Sequence, residues 1–272
     1  MIADKTIMIT GATGGIGRAV AQQLARRGAT LIVVGRAAPR LQTLADELTA
    51  LGARALALPA DLDDAAVAPR LLDAALCHGG RIDILVNCAG TQNFGAFERE
   101  RSVDTEALFR LNVLAPMALT NAVLPHMRER GSGTIVNVGS IFGSIGFPFF
   151  ATYSASKFAL RGFSEALRRE LAGSGVGVTY VAPRFTRTGF NRPAVARMAG
   201  ALKMNQDEPA AVARSVIRSI ERNDSERYLG WPEKLFVRIN SLLPRLVDQS
   251  LIKQRAQMQP FASETALTDG TP

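Results

Sequence analysis

"TIMITGATGGIGRAV" (6–20) joins a short apolar run to a helical pattern through a glycine-rich turn. Gly11, Gly15 and Gly17 carry the spacing of interest. Such glycines permit a tight turn and let the backbone approach a pyrophosphate at a helix N-terminus. The spacing G-x-G-x-x-G is absent, and no Gly-Lys-Ser/Thr closes the loop as in a P-loop. A plain strand–helix turn is the bland alternative, and placement directly after the first strand weighs against it.

Outward from this stretch the same alternation continues. "TLIVVG" (30–35), "RALALP" (54–59), "IDILVN" (82–87), "GTIVNV" (133–138) and "VGVTYV" (176–181) read as strands, apolar nearly throughout. Strands covered on both faces have that composition. Helical patterns lie between them, two of them long, at about 103–130 and 152–173, with Gly28, Gly52 and Gly79 at expected C-caps. This predicts one α/β domain, a three-layer, doubly wound parallel sheet with right-handed crossovers. The 272 residues show neither an internal repeat nor a linker, and a chain of that length buries a core without staples.

Composition narrows the class. Two cysteines, Cys77 and Cys88, fit a reducing compartment rather than a disulfide framework. The N-terminus lacks a signal-peptide h-region, and no apolar run is expected to span a bilayer. The expectation is a cytoplasmic protein without a metal site. The net charge of +8 comes from scattered arginines with no interleaved aromatics, so nucleic acid is not an expected partner.

The second strand ends in Gly35 and Arg36 where an acid would hydrogen-bond a ribose 2′-OH. A guanidinium instead pairs a 2′-phosphate with two hydrogen bonds, which predicts NADP rather than NAD. Arg18 and Arg40 are secondary candidates, and a solvent-facing arginine is the bland reading.

"ATYSASKFAL" (151–160) sets Tyr153 and Lys157 one helical turn apart on one face. An ammonium beside a phenol favours phenolate and lowers its pKa from about 10. Such a phenol exchanges a proton with a carbonyl or alcohol oxygen. Ser140 ends the fifth strand, where it can hydrogen-bond a substrate oxygen or simply form a turn. Asn112 in "FRLNVLAP" reads as a helix-bending residue that binds a water leading to Lys157, or as a plain kink residue. In open α/β sheets ligands gather beyond the carboxyl ends of the strands, where all these residues fall.

Together "TGATGGIG" (10–17), "DL" (61–62), "NCAG" (87–90), Asn112, Ser140 and "YSASK" (153–157) resemble the short-chain dehydrogenase/reductase family, from about residue 4 to about 230. The resemblance implies a Rossmann-like domain with Tyr153 as acid/base, Ser140 as carbonyl binder, Lys157 on the nicotinamide ribose and Asn112 on a proton-relay water. It implies cofactor contacts at Gly11, Thr13, Gly15, Ile16, Gly17, Arg36, Asp61 (at the adenine), Leu62, Asn87, Ala89, Gly90, Pro183 and Thr188, besides Tyr153 and Lys157. It also implies a homodimer or homotetramer paired through the helices near 103–130 and 152–173. One departure matters: "APRFTRTGF" (182–190) puts Arg184 where the family commonly has glycine. The loop then follows another path, or Arg184 points a charge into the substrate mouth.

Phe142, Phe147, Phe149 and Phe150 crowd one loop, and Phe94, Phe185 and Phe190 fall in others on the same edge. They suit an apolar, lipid- or steroid-like ligand, or equally hydrophobic packing. The family resemblance implies a substrate lid at about 190–206, closing a domain of residues 1–230. Residues 231–272 form an extension: an amphipathic stretch (231–255) broken at Pro244, then a polar, frayed "SETALTDGTP". A basic amphipathic helix lies on an anionic membrane or packs on its own domain or a neighbouring subunit. The chain therefore reads as an NADP-dependent oxidoreductase interconverting a ketone and a secondary alcohol. The contrasting reading is a cofactor-binding redox sensor or scaffold with little turnover.

Overall fold

A computed structural model describes residues 2–64 and 66–268. Its strands are β1 (Thr6–Thr10), β2 (Thr30–Gly35), β3 (Arg54–Pro59), β4 (Ile84–Asn87), β5 (Gly133–Val138), β6 (Val176–Ala182) and β7 (Glu226–Tyr228). They form one parallel sheet in the order β3-β2-β1-β4-β5-β6-β7. β4 starts at Ile84 rather than at residue 82, since the Asp83 carboxylate turns onto the Thr6 N–H at 2.9 Å. β7, with the sequence ERY, carries too short and polar a pattern to be read as a strand.

The helices are α1 (Gly15–Ala25), α2 (Ala38–Ala50), α3 (Val67–Gly79), α4 (Ser102–Phe109), α5 (Ala115–Glu129), α6 (Ala151–Glu170), α7 (Pro193–Ala201), α8 (Pro209–Arg222), α9 (Glu233–Leu242) and α10 (Pro244–Thr268). On one face of the sheet α1, α2 and α8 bury Leu24, Leu44, Leu48 and Val216. On the other α3, α5 and α6 bury Leu71, Leu119, Val123 and Leu167. The result is the expected three-layer sandwich. Chain order reverses across the sheet between β1 and β4, and at such a switch point the strand ends open a crevice.

Several expectations change. Gly28 and Gly52 adopt positive φ as C-cap glycines do, but the left-handed residue after α3 is Gly80, not Gly79. The long pattern at 103–130 is two helices joined by a π-helical segment, Arg110–Leu114, that contains Asn112. By length and composition the span Ser102–Glu129 is apolar enough to cross a membrane, against the expectation that none was. Its buried Leu108, Leu119, Val123 and Met127 make it a core element of the sandwich. The break before Pro244 occurs as expected, whereas α10 continues through Thr268 where fraying was expected. Met258 and Ala262 anchor α10 by packing against α7 residues Val195 and Met198. Residues 269–272 of the predicted frayed end lie outside the described residues.

Candidate active site

A cavity of about 350 Å³ opens at the carboxyl ends of the strands. Its nucleotide end begins at the glycine turn. Gly11 has φ +63°, and a Cβ there would lie 2.7 Å from Ala89 Cα. A Cβ on Gly17 would lie 2.3 Å from Gly11 O. These two glycines let β1, the turn and the β4 loop close on one another. Thr10 Oγ1 fastens the same junction by accepting from Cys88 N and Ala89 N, both at 3.1 Å. Gly14 N-caps α1 without a side-chain hydrogen bond, and the first turn of α1 holds no acid. The first-turn residues Gly15, Ile16 and Gly17 line the cavity, so the positive end of the helix dipole faces it. An anionic pyrophosphate fits this cradle.

Thr13, Arg36, Asp61, Leu62, Ala89, Gly90, Pro183 and Thr188 also line the cavity, as do Ser140, Tyr153 and Lys157. Arg36 is exposed at the end of β2. Arg18, a rival for the same phosphate, is held away by two bonds to Glu47, at 2.6 and 2.7 Å. Thr188 packs onto the glycine turn: a Cβ on Gly15 would meet Thr188 Cγ2 at 2.4 Å.

Two expected site residues do not line the cavity. Asn87 is buried and donates to Asn137 Oδ1 at 2.8 Å, while Asn137 donates to Ser164 Oγ at 2.8 Å. This chain of amides ties β4 and β5 to α6, so Asn87 supports the central strand without lining the cofactor cavity. Asn112 is fully buried. Its Nδ2 donates to Thr91 O at 2.9 Å and Ser156 Oγ at 3.0 Å, and its Oδ1 accepts from Thr91 N at 2.8 Å. Three of its four hydrogen-bonding capacities thus go to protein groups. The side chain acts as a strap from the β4 loop to α6, with one acceptor position of Oδ1 left over.

At the reacting end Ser140 caps a short turn: its Oγ accepts from Phe142 N at 3.1 Å. Tyr153 is buried beside Ser140, whose hydroxyl favours the ionised phenol. Lys157 Nζ lies 5.7 Å from the Tyr153 ring centroid and donates to Val138 O at 3.3 Å. Burial pushes the Tyr153 phenol up to about 12, against the smaller opposing effect of the Ser140 hydrogen bond. Burial also pulls the Lys157 ammonium down to about 8. This corrects the expected low-pKa phenol, because desolvation outweighs the nearby cation. Tyr153 is therefore protonated at neutral pH, the form that donates to a carbonyl oxygen.

Sequence reasoning missed Tyr180. It is fully buried on β6, and its hydroxyl accepts from Ser140 N at 3.2 Å and donates to Ser140 O at 3.1 Å. Its ring occupies the space that a Cβ on Gly139 or Gly143 would need, 2.1 and 2.2 Å away. The signal in the sequence is a single aromatic in a strand otherwise of small and β-branched residues. Arg184 is also resolved. It lies outside the positive-φ region, and its guanidinium bonds Asp207 Oδ1 at 2.8 Å, Glu233 Oε2 at 3.0 Å and Trp231 O at 3.3 Å. It ties the β6 loop to the segment after α7 and to the start of α9, with its charge held by acids at the edge of the cavity.

The aromatic loops divide between the cavity wall and the packing behind it. Phe142, Phe150, Phe185 and Phe190 line the cavity, with Val195, Met198 and Met204 of the expected lid. Phe94, Phe147 and Phe149 pack behind them. Phe142 stands edge-on to Tyr153 with ring centroids 5.9 Å apart, so the wall around the phenol is apolar.

Comparison with known proteins agrees. Residues 5–199 match the short chain dehydrogenase family. The chain is 33% identical over 258 residues to the ketoacyl reductase HetN of Nostoc sp., covering 91% of this chain and 88% of that one. A short-chain dehydrogenase structure from Streptomyces avermitilis superposes with a TM-score of 0.78 at 32% identity, over 92% of this chain and 97% of that one. A short chain dehydrogenase/reductase from Burkholderia phymatum, in complex with NAD, gives 0.83 at 25% identity, over 90% and 95%. A Rossmann-like nucleotide-binding domain and oxidoreductase chemistry on CH–OH and ketone groups follow from these matches. The chain belongs to the short-chain dehydrogenase/reductase family.

Proposed function

We propose that the protein is an NADP-dependent reductase of an apolar, lipid- or steroid-like ketone, forming the secondary alcohol. The observation that carries this reading is the buried Tyr153 sharing one cavity with Ser140 and Lys157 within an aromatic wall. The nicotinamide cofactor, when bound, supplies the hydride. The residues of the chain do the rest. The α1 N-terminus and Gly11–Gly17 turn hold the pyrophosphate, and Arg36 pairs the 2′-phosphate. Asp61 and Leu62 border the adenine, and Pro183 and Thr188 border the nicotinamide. Lys157 holds the ribose and stays cationic below about pH 8. Ser140 orients the carbonyl oxygen, and Tyr153 gives it a proton. The apolar wall excludes water and favours a hydrophobic ketone over a small polar one.

The α7 region from about 190 to 206 acts as the lid over this wall. Gln92 Nε2 donates to Phe190 O at 3.1 Å and latches its start. Exposed Val103, Leu114 and Phe158 support homo-oligomer pairing through α4–α6. The free thiols Cys77 and Cys88 support a reducing, cytoplasmic setting. The test is a panel of ketones and alcohols of graded size and polarity, followed by NADPH and NADH absorbance. Turnover of apolar ketones with NADPH supports the reading. Turnover of none, or of small polar ketones with NADH alone, contradicts it.

A further inference from the structure

The C-terminal extension presents its apolar side chains outward. Among the described residues twelve large hydrophobic side chains are exposed, and seven of them fall within residues 231–252. α9 buries only Val237. It is fixed to the domain at two points: Glu233 bonds Arg184, and Asn240 Nδ2 donates to Ser144 O at 2.9 Å. Leu235, Phe236, Leu242 and Leu243 are exposed, while Ile239 turns inward with Val237 against Ile145 and Val247. Leu242 is 80% exposed and Trp231, just before the helix, 69%. Leu246 continues the patch into the first turn of α10. Contiguous apolar exposure of this kind marks a binding surface.

Charge identifies the occupant. Residues 231–255 contain Lys234, Arg238, Arg245, Lys253 and Arg255 against only Glu233 and Asp248. Glu233 is already paired with Arg184 at 3.0 Å. An exposed apolar stripe with a tryptophan at one end and cations beside it matches an interfacial helix on anionic lipid. A second copy fits less well. A two-fold contact through this face would gather the Arg238 and Arg245 cations of both copies into one interface that holds few acids. Subunit pairing also has separate exposed apolar residues on α4–α6.

We propose that the face formed by α9 and the first turn of α10 docks on the surface of an anionic lipid bilayer. The extension is tied to the cavity wall: Arg184 lines the cavity and holds Glu233 at the start of α9. A ketone dissolved in the bilayer thus enters beside the lid without crossing bulk water; this delivery step rests on the proposed apolar substrate.

The test is co-sedimentation of the full chain with vesicles of phosphatidylcholine alone and of phosphatidylcholine with phosphatidylglycerol. Wild type pellets with the anionic vesicles, and binding weakens as salt rises. R238Q/R245Q lowers the partition coefficient roughly fivefold per charge removed. L242S/L243S/L246S abolishes pelleting while its circular dichroism and its turnover of a water-soluble ketone match wild type. Failure of wild type to pellet with anionic vesicles overturns the proposal. So does undiminished binding by the triple variant, or a fall in its oligomer size, which assigns the face to a second copy. Turnover of the whole ketone panel by wild type is read in parallel. Its absence counts against the proposed reductase reading alone, since vesicle binding is scored without it. An apolar ketone carried in the vesicles is reduced faster by wild type than by the triple variant, and equal rates overturn delivery.

Discussion

The Tyr180 hydroxyl spans the backbone of Ser140, accepting from its N–H at 3.2 Å and donating to its carbonyl at 3.1 Å. The strut reaches from β6 to the end of β5 and fixes the serine that faces Tyr153. Tyr180→Phe leaves the Ser140 N–H buried without that partner, a cost of about 1–3 kcal/mol. A melting temperature lower by several degrees is expected. Loss of register at Ser140 lowers kcat roughly tenfold to a hundredfold. NADPH affinity, measured by fluorescence titration, stays at the wild-type value, which separates local positioning from general unfolding.

Arg36 is the cation at the β2 end of the cavity once Arg18 is held by Glu47. Arg36→Asp removes a bidentate phosphate partner and adds a repelling carboxylate. NADPH affinity should fall by two orders of magnitude or so, with NADH affinity unchanged or improved. Paired titrations with the two cofactors read this directly, and an unchanged NADPH to NADH ratio contradicts the 2′-phosphate assignment.

The pH dependence follows from Lys157 and Tyr153. Burial lowers Lys157 to about 8 and raises Tyr153 to about 12. Below pH 8 the lysine is cationic and the phenol protonated, so the donors needed for ketone reduction are both in place. As pH rises through 8 the lysine loses its charge first, and kcat/KM for reduction falls about tenfold per pH unit. Lys157→Arg keeps its charge above that range, so the falling limb moves upward even though the overall rate drops.

Arg184 bonds Asp207 and Glu233, joining the segment after α7 to α9. Arg184→Gly restores the residue more usual in the family yet leaves two half-buried carboxylates without their cation. A loss of about 1–3 kcal/mol is expected. Hydrogen exchange should accelerate in α9 and around Asp207 while β1–β5 retain their protection.

Local pattern carried much of this structure. The apolar runs, the glycine turn and the Tyr153–Lys157 spacing each depend on residues within a few positions of one another, so the strands, the glycine turn and the shared helix face of Tyr153 and Lys157 were readable. What was hidden depends on register between distant segments. Tyr180 meets Ser140 only because β6 pairs with β5, with Asn137 opposite Tyr180. Asn112 reaches Thr91 and Ser156 only through the π-helical segment, whose widened turn has no sequence periodicity of its own. β7 is three residues long and takes its place from pairing with β6 rather than from its composition. The Tyr153 pKa was misjudged because spacing reveals the neighbouring cation but not the burial that outweighs it.

The central claim is that Tyr153 delivers the proton. Tyr153→Phe removes only the hydroxyl, and the ring keeps its contacts with Phe142, Phe150 and Phe190. Single-turnover ketone reduction by this variant, with NADPH binding measured on the same preparation, tests it most directly. The account predicts wild-type NADPH affinity and a reduction rate lower by at least two to four orders of magnitude. A variant that binds NADPH and reduces the ketone at the wild-type rate would contradict it.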